Sequence, residues 1–284
     1  MNDRLPVYYA KVPNMGDLLN RDIIKTCFGY DVERRTYLTG KISGIGSGLG
    51  NYTYEDEKWK NVLKFISGIF SPEVYIWGTG FVRYKEQDTK FYKRKMHFCA
   101  VRGELSKKRV ENLLGKSINI PTGDAGILAS YLLKSKPEIK YDVGIIAHYK
   151  EQSDPAFKML CQKFPNSTFI NVRDEPYKVT EEISKCNVIL SSSLHGLIIA
   201  DSLRIPNRHI VVTNNLLGDG YKFDDYYSAY GIEHYYTNIN SDEIQSLKDV
   251  CDQYRITDEM VEQKKKSMIE SFPFPSLTDR NQMV

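Results

Sequence analysis

Several absences narrow this sequence before any motif is read. Its five cysteines, Cys27, Cys99, Cys161, Cys186 and Cys251, stand singly, without the paired spacing of a zinc site or the even count of a disulfide framework. The chain is therefore expected in a reducing compartment, the cytoplasm. Charge of neither sign dominates, 39 basic against 36 acidic residues for a net +3, which argues against a dedicated nucleic-acid binder. Residues 1–17 lack the basic start and apolar core of a secretory signal, and no run reaches the ~20 apolar residues of a membrane span. No repeat, low-complexity segment or metal-ligating cluster is evident. Tyrosine, by contrast, is abundant, with 20 copies, and tyrosines line sugar-facing and partner-facing surfaces as well as cores.

At 284 residues the chain suits two domains better than one. The first half reads as a strand at 7–12, a loop, and a helix with Leu18, Leu19, Ile23, Ile24 and Cys27 at helical spacing and Gly29 as its stop. Residues 42–50 are glycine at nearly every second position. They lack the lysine and hydroxyl of a nucleotide-triphosphate loop, so what they offer is close backbone approach to a ligand. A strand at 74–77 runs into the turn Gly78-Thr79-Gly80. Another, at 96–101, runs into Arg102-Gly103 and a helix with Leu105, Val110, Leu113 and Leu114 on one side. Residues 135–138 break the pattern as a linker. Beyond them strand and helix alternate through 142–147, 156–164, 168–172, 178–185 and 188–190, then a central helix and a strand at 209–212. Such alternation implies parallel sheets covered on both faces. The expected fold is α/β, with two Rossmann-like parallel-sheet domains facing a cleft. Residues 1–136 form the acceptor side and 137–256 the donor side. Residues 257–284 supply a closing helix that returns toward the first domain, and a tail, loosely ordered from Phe272. Residues 217–227 read as a loop over the cleft, and helices are expected at 241–254 and 257–271.

The organising stretch is residues 189–206, ILSSSLHGLIIADSLRIP. It reads as a buried strand, a polar turn holding His195, and an apolar helix starting near Gly196. Free N–H groups at that helix start favour an anion, and its positive end should keep His195 neutral. The plainer alternative is a histidine hydrogen-bonded within its turn. Asp17 is either a simple helix cap or a cleft carboxylate; Asn14 and Gly16 beside it give that loop a polar side chain and a bare backbone, as Gly80 gives the second glycine turn. Arg102 sits at a strand-to-helix turn, placed either to grip a carboxylate or phosphate or to form a structural salt bridge. His148 and Arg173 follow strand ends on the same edge as His195, and Lys222 is a candidate phosphate contact. The basic segment 90–95 (KFYKRK) is a solvated face or a peripheral membrane contact.

Five motifs in order, N-M-G-D-x-L-N (14–20), G-T-G (78–80), V-R-G-E-L-S (101–106), G-D-A (123–125) and S-L-H-G-L-I-x-A-D-S-L-R-I-P (193–206), resemble the polysaccharide pyruvyl transferase family, with the succinoglycan-type exopolysaccharide ketalases as the nearest branch. The resemblance implies a GT-B-like fold. It implies transfer of a pyruvyl group from phosphoenolpyruvate, as co-substrate and without a further cofactor or metal, onto two hydroxyls of a sugar in a surface or exocellular polysaccharide precursor. The acceptor glycan would be lipid-linked in many cases, at the inner face of the cytoplasmic membrane. In that setting His195 exchanges protons with the donor or the reacting hydroxyl, while the helix start at Gly196 and Arg102 hold donor anions. Asp17 and Asn14 orient or deprotonate the sugar, and His148 is a reserve acid. Many members carry arginine where this chain has Ser193; Arg102, Arg173, Arg204 or Lys222 would then take its place. The competing expectations are a GT-B-type glycosyltransferase using a nucleotide sugar and a non-catalytic carbohydrate-binding scaffold.

Overall fold

The structure, a computed structural model, describes residues 4–54, 58–84, 90–93, 95–135, 137–212, 220–239 and 244–277. The first half contributes strands β1 (Leu5–Tyr8), β2 (Val32–Arg35), β3 (Ile42–Ser43), β4 (Val74–Trp77) and β5 (Met96–Ala100). The second contributes β6 (Tyr141–Ile146), β7 (Ser167–Phe169), β8 (Cys186–Ser191), β9 (Asn207–Val211) and β10 (Thr237–Asn238). Each set forms one five-stranded sheet, in the orders β2-β1-β3-β4-β5 and β10-β9-β8-β6-β7. Every pairing is parallel. Read from its own first strand, each half therefore has the same order, 2-1-3-4-5. The α/β reading with two parallel sheets holds.

The helices are α1 (Met15–Phe28), α2 (Lys58–Phe70), α3 (Glu104–Leu114), α4 (Pro155–Lys163), α5 (Pro176–Ser184), α6 (Leu194–Ser202), α7 (Tyr221–Ser228), α8 (Leu247–Gln253) and α9 (Asp258–Glu270). Asn14 opens α1 by accepting the Gly16 N–H through its side chain, and Gly29 closes it in the left-handed conformation. Its stripe Leu19, Ile23, Ile24 and Cys27 is fully buried. Helix α6 is buried on all sides, with Leu197, Ile198 and Ile199 inaccessible. Both helices pack on one 3-10 segment, Ala125–Leu132. A single apolar core consequently runs from Leu5 and Val7 in the first half through to Ile189 and Ile199 in the second. Helix α9 also packs on that 3-10 segment, and Trp77 Nε1 donates to the Met268 carbonyl at 3.0 Å.

Five local expectations change. The first strand runs over Leu5–Tyr8 and not 7–12, since the chain leaves the sheet after Tyr8. The helix after β8 begins at Leu194, with Ser193 as its extended N-cap, so His195 lies in the first helical turn and not in the loop before it. Residues 221–228 form helix α7 because Tyr221, Phe223, Asp225 and Tyr226 all find buried partners; residues 217–219 of the expected loop lie outside the described residues. The tail is packed as far as Leu277: Phe272 stacks on Phe28 with ring centroids 3.7 Å apart, and Leu277 N–H donates to the Phe28 carbonyl at 2.9 Å. The helix expected at 241–254 shortens to α8, with residues 241–243 outside the described set. The five cysteines form no disulfide, and among the described residues no helix is long and apolar enough to cross a membrane.

Candidate active site

In a parallel sheet of this order the strand direction of travel reverses between the first and third strands of each half, and ligands bind outside the carboxyl ends at that point. Here the two reversal points face one another. Tyr8 ends β1 and Tyr9 and Ala10 follow it, Ser43 ends β3 and residues 44–48 follow it, Thr79 follows β4, and Asn14 and Asp17 stand at the start of α1. Opposite them, His148 and Tyr149 follow β6, Ser193 to His195 follow β8, and Lys222 projects from α7. Together they enclose a cavity of about 230 Å³.

His195 occupies the second position of α6. Its ring rests against Gly16: a Cβ built on that glycine would fall on the imidazole, so only glycine lets the first half approach so closely. Nε2 is shielded from bulk water and has no hydrogen-bond partner among the described residues. Burial, reinforced by the positive charges of Lys222 and Arg102, pushes the imidazole pKa down to about 3. The resting group is neutral, and one of its nitrogens is uncommitted.

Across the gap, Asp17 Oδ2 accepts a hydrogen bond from Asn14 Nδ2 at 3.1 Å. Burial raises its pKa to about 6 despite that bond, the value of a base poised just below neutrality. Lys222 forms no ion pair among the described residues; burial first, then repulsion from Arg102, lowers its pKa to about 8. It thus remains a cation at neutral pH that feels the Glu151 carboxylate without forming an ion pair with it, beside the N-terminal end of α6, which also attracts negative charge. His148 is pushed down to about 4 by burial and then by Lys222 and Lys150, and its backbone N–H donates to Ser192 Oγ at 2.8 Å.

Other candidates stand elsewhere. Arg102 does not line the cavity. Its side chain is wholly buried and paired with Asp225 at 2.9 Å, and its other donors reach Ser47 Oγ at 2.8 Å and the Phe81 carbonyl. The guanidinium braces the wall behind the glycine run, and Asp225 in turn accepts from the backbone and hydroxyl of Ser106. Gly80 belongs to that brace, since a Cβ there would meet Arg102 and Asp225. Gly196 is buried against Ser191 and Ile146, so the tip of α6 meets the cavity through Ser193 to His195. Arg173 is exposed and donates to the Tyr149 carbonyl at 2.8 Å, holding a cavity residue from outside. Arg204 is exposed on the far end of α6, in an ion pair with Glu262 at 2.6 Å. Of the four residues named in place of the arginine absent at Ser193, only Lys222 lines the cavity.

Five contributors had weak signals, or none, in the sequence. Asn20, which the sequence places merely beside Asp17, knits α1 to the glycine run: it donates to the Ile45 carbonyl at 3.0 Å and accepts the Ile45 N–H at 2.8 Å. Thr79 accepts the Gly48 N–H at 2.8 Å and donates to the Gly46 carbonyl at 3.1 Å. Tyr8, Tyr9 and Tyr149 supply the cavity's aromatic rings; only Tyr149 had a sequence signal, its position just past a strand end, since Tyr8 and Tyr9 fall inside the strand expected at 7–12. Among the described residues no group of three or more histidine, cysteine or acidic side chains could hold a metal ion.

A family model for polysaccharide pyruvyl transferases matches residues 36–214, more than half of the chain. The chain belongs to the polysaccharide pyruvyl transferase family. The span typical of pyruvyl transferases contains the glycine run, Thr79, His148 and His195, and stops short of Asn14, Asp17 and Lys222. An uncharacterized protein of Acanthamoeba polyphaga mimivirus is 28% identical over 188 residues, 64% of this chain and 64% of that protein. This pyruvyl transferase family member therefore matches just under two thirds of the length of that curated relative. A solved structure of an uncharacterized protein from Klebsiella pneumoniae subsp. pneumoniae NTUH-K2044 is similar at 14% identity, covering 80% of this chain and 87% of that one, with a TM-score of 0.45.

Proposed function

We propose that this protein transfers a pyruvyl group from phosphoenolpyruvate onto two hydroxyls of a sugar in a polysaccharide precursor, forming a cyclic ketal as in the succinoglycan-type branch. The observation that carries the reading is an uncommitted neutral imidazole at a helix tip, beside an unpaired lysine cation and across a narrow gap from a carboxylate of raised pKa. The donor brings a phosphate and a carboxylate. Lys222 and the α6 tip hold these anions, and their negative charge raises the His195 pKa, because an opposite charge favours the charged form. The imidazole therefore gains its proton only when the donor is seated.

His195 then delivers that proton to the methylene carbon, leaving a cation-like centre at the neighbouring carbon. A sugar hydroxyl adds there as Asp17, oriented by Asn14, accepts its proton. The carbon–oxygen bond to phosphate breaks next, the phosphate leaves with its electron pair, and the second hydroxyl closes the ring with loss of its own proton. One proton has gone to the new methyl group and the other is carried off with phosphate, so the step balances. Tyr8, Tyr9 and Tyr149 offer faces for sugar packing. No metal or cofactor is invoked, and the reaction is placed in the cytoplasm.

Two measurements test the reading. Phosphoenolpyruvate alone should raise the melting temperature, and phosphate should be released when a panel of galactosides, glucosides and mannosides is added. Stabilisation by a nucleoside diphosphate and not by phosphoenolpyruvate would replace it with a nucleotide-sugar glycosyltransferase. The second is the pH profile of kcat at saturating donor, where the seated anions hold the proton on His195; it should be bell-shaped. Its rising limb follows deprotonation of Asp17, from a resting value of about 6, and its falling limb follows loss of charge on Lys222, which seated anions raise above its resting value of about 8. Lys222→Met should abolish the upper limb and raise KM for the donor, whereas Asp17→Asn should remove the lower limb along with most of the rate. A flat profile between pH 5 and 9 would take both groups out of the reaction.

A further inference from the structure

Helix α2 packs with its sides reversed. The side turned toward the protein is polar or bare: Lys64 Nζ donates to the Thr53 carbonyl at 2.9 Å and lies 5.5 Å from the centre of the Tyr92 ring. Gly68 is pressed so closely on Tyr92 that a Cβ there would overlap the tyrosine's carbonyl. The outward side carries Val62, Leu63, Ile66, Ile69 and Phe70, exposed by 59%, 64%, 48%, 43% and 82%. At the helical period these five span an arc of about 120°. Such a face belongs against something apolar, and single exposed apolar residues do not produce one.

Charge identifies the occupant. Lys64 of α2 faces the protein, and the described, exposed positive charge beside the helix lies in the basic stretch 90–95, to which Tyr92, on which the helix rests, belongs. In that stretch Lys90 and Lys95 are exposed, whereas Tyr92 and Lys93 are buried and Arg94 lies outside the described residues. The nearest described carboxylate along the chain, Glu73, is engaged by His97 at 3.2 Å; the acidic residues 55–57 lie outside the described set. A short helix with an apolar face and a basic border matches the surface of an anionic bilayer. A second copy of the chain fits less well, because two-fold pairing would bring the two basic borders together.

We propose that α2 is a membrane-docking helix, laying Val62, Leu63, Ile66, Ile69 and Phe70 among the acyl chains of an anionic leaflet while Lys90 and Lys95 meet its headgroups. The contact would be transmitted to the cavity through few residues. Tyr92 N–H donates to the Tyr52 carbonyl at 3.0 Å, and Asn51, next in the chain, donates to the hydroxyl of the cavity residue Tyr8 at 2.8 Å. Docking thus brings the first-half wall of the cleft to the bilayer. The inference stands without the pyruvyl-transfer reading, and its test uses no activity.

The full chain should float with vesicles of phosphatidylcholine and phosphatidylglycerol, less with phosphatidylcholine alone, and less again at high salt. Leu63→Asn/Ile69→Asn should cut flotation about tenfold or more with an unchanged melting temperature, since neither side chain is buried. Lys90→Glu/Lys95→Glu should erase the preference for anionic over neutral vesicles. The proposal fails if the wild-type chain floats with neither vesicle type, or if the Asn pair floats as well as wild type. It also fails if light scattering finds a dimer that the Asn pair dissociates, which would make a second copy the occupant.

Discussion

Replacing His195 by glutamine is expected to lower turnover by about two to four orders of magnitude with little change in melting temperature. Glutamine keeps most of the volume and a hydrogen-bonding end group, so the surface facing Gly16 stays filled. It cannot carry a proton at accessible pH. The resting imidazole is neutral, with a nitrogen left unpartnered, so it contributes little to stability that glutamine would forfeit. The lysine cation and the α6 tip survive the change, and donor affinity should persist while phosphate release with a sugar acceptor collapses. A variant that releases phosphate at near wild-type rate would remove the imidazole from the chemistry and leave the cavity as a binding site only.

The second large effect concerns folding. Arg102→Met should destabilise the protein by about 3–5 kcal/mol, the usual cost of removing one partner from a buried ion pair. Asp225 would keep its bonds from Ser106 but lose its counter-charge, and the Phe81 carbonyl and Ser47 hydroxyl would each lose a donor. Because the abandoned carboxylate carries most of the cost, the double variant Arg102→Met/Asp225→Leu should recover a large part of the loss. Urea titration of the wild type, both single variants and the double variant reads this directly. If instead Arg102→Met kept wild-type stability and lost only donor binding, the arginine would be a ligand hand and not a brace.

Arg102 also shows where sequence reading reached its limit. The alternation of strands and helices was legible because parallel sheets covered on both faces leave a strong hydrophobic rhythm, and it put His195, His148 and Arg173 at strand ends on one edge, with Asn14 and Asp17 past the first strand. Lys222 was read in a loop over the cleft, and Arg173 proves to lie outside the cavity. His195, Asp17, Asn14, His148 and Lys222 are the five of these that line it. Nothing local distinguishes an arginine that reaches into a cleft from one turned inward. The deciding partner, Asp225, lies 123 residues away in a segment whose mixture of tyrosine, lysine and aspartate has no clear helical rhythm. Gly80 shared that fate, since its neighbours are the same buried pair. The glycine run was legible as backbone meant for close approach, while its fastening by Asn20 and Thr79 depended on contacts 25 to 33 residues apart. Helix α2 carries a marked apolar rhythm over Val62 to Phe70, but nothing in that rhythm tells an outward apolar side from one turned to the core.

The apolar interior shared by the two sheets limits how the cleft can work. Helices α1 and α6 enter it from opposite halves and meet on the same 3-10 segment, so swinging the halves apart would expose hydrocarbon to water. On the proposed reading, substrates would enter a mouth of nearly fixed width, without a wide jaw-like opening. Acceptor preference would then rest on the part-exposed tyrosines at that mouth, Tyr8 and Tyr149, whereas Tyr9 is fixed in the shared core.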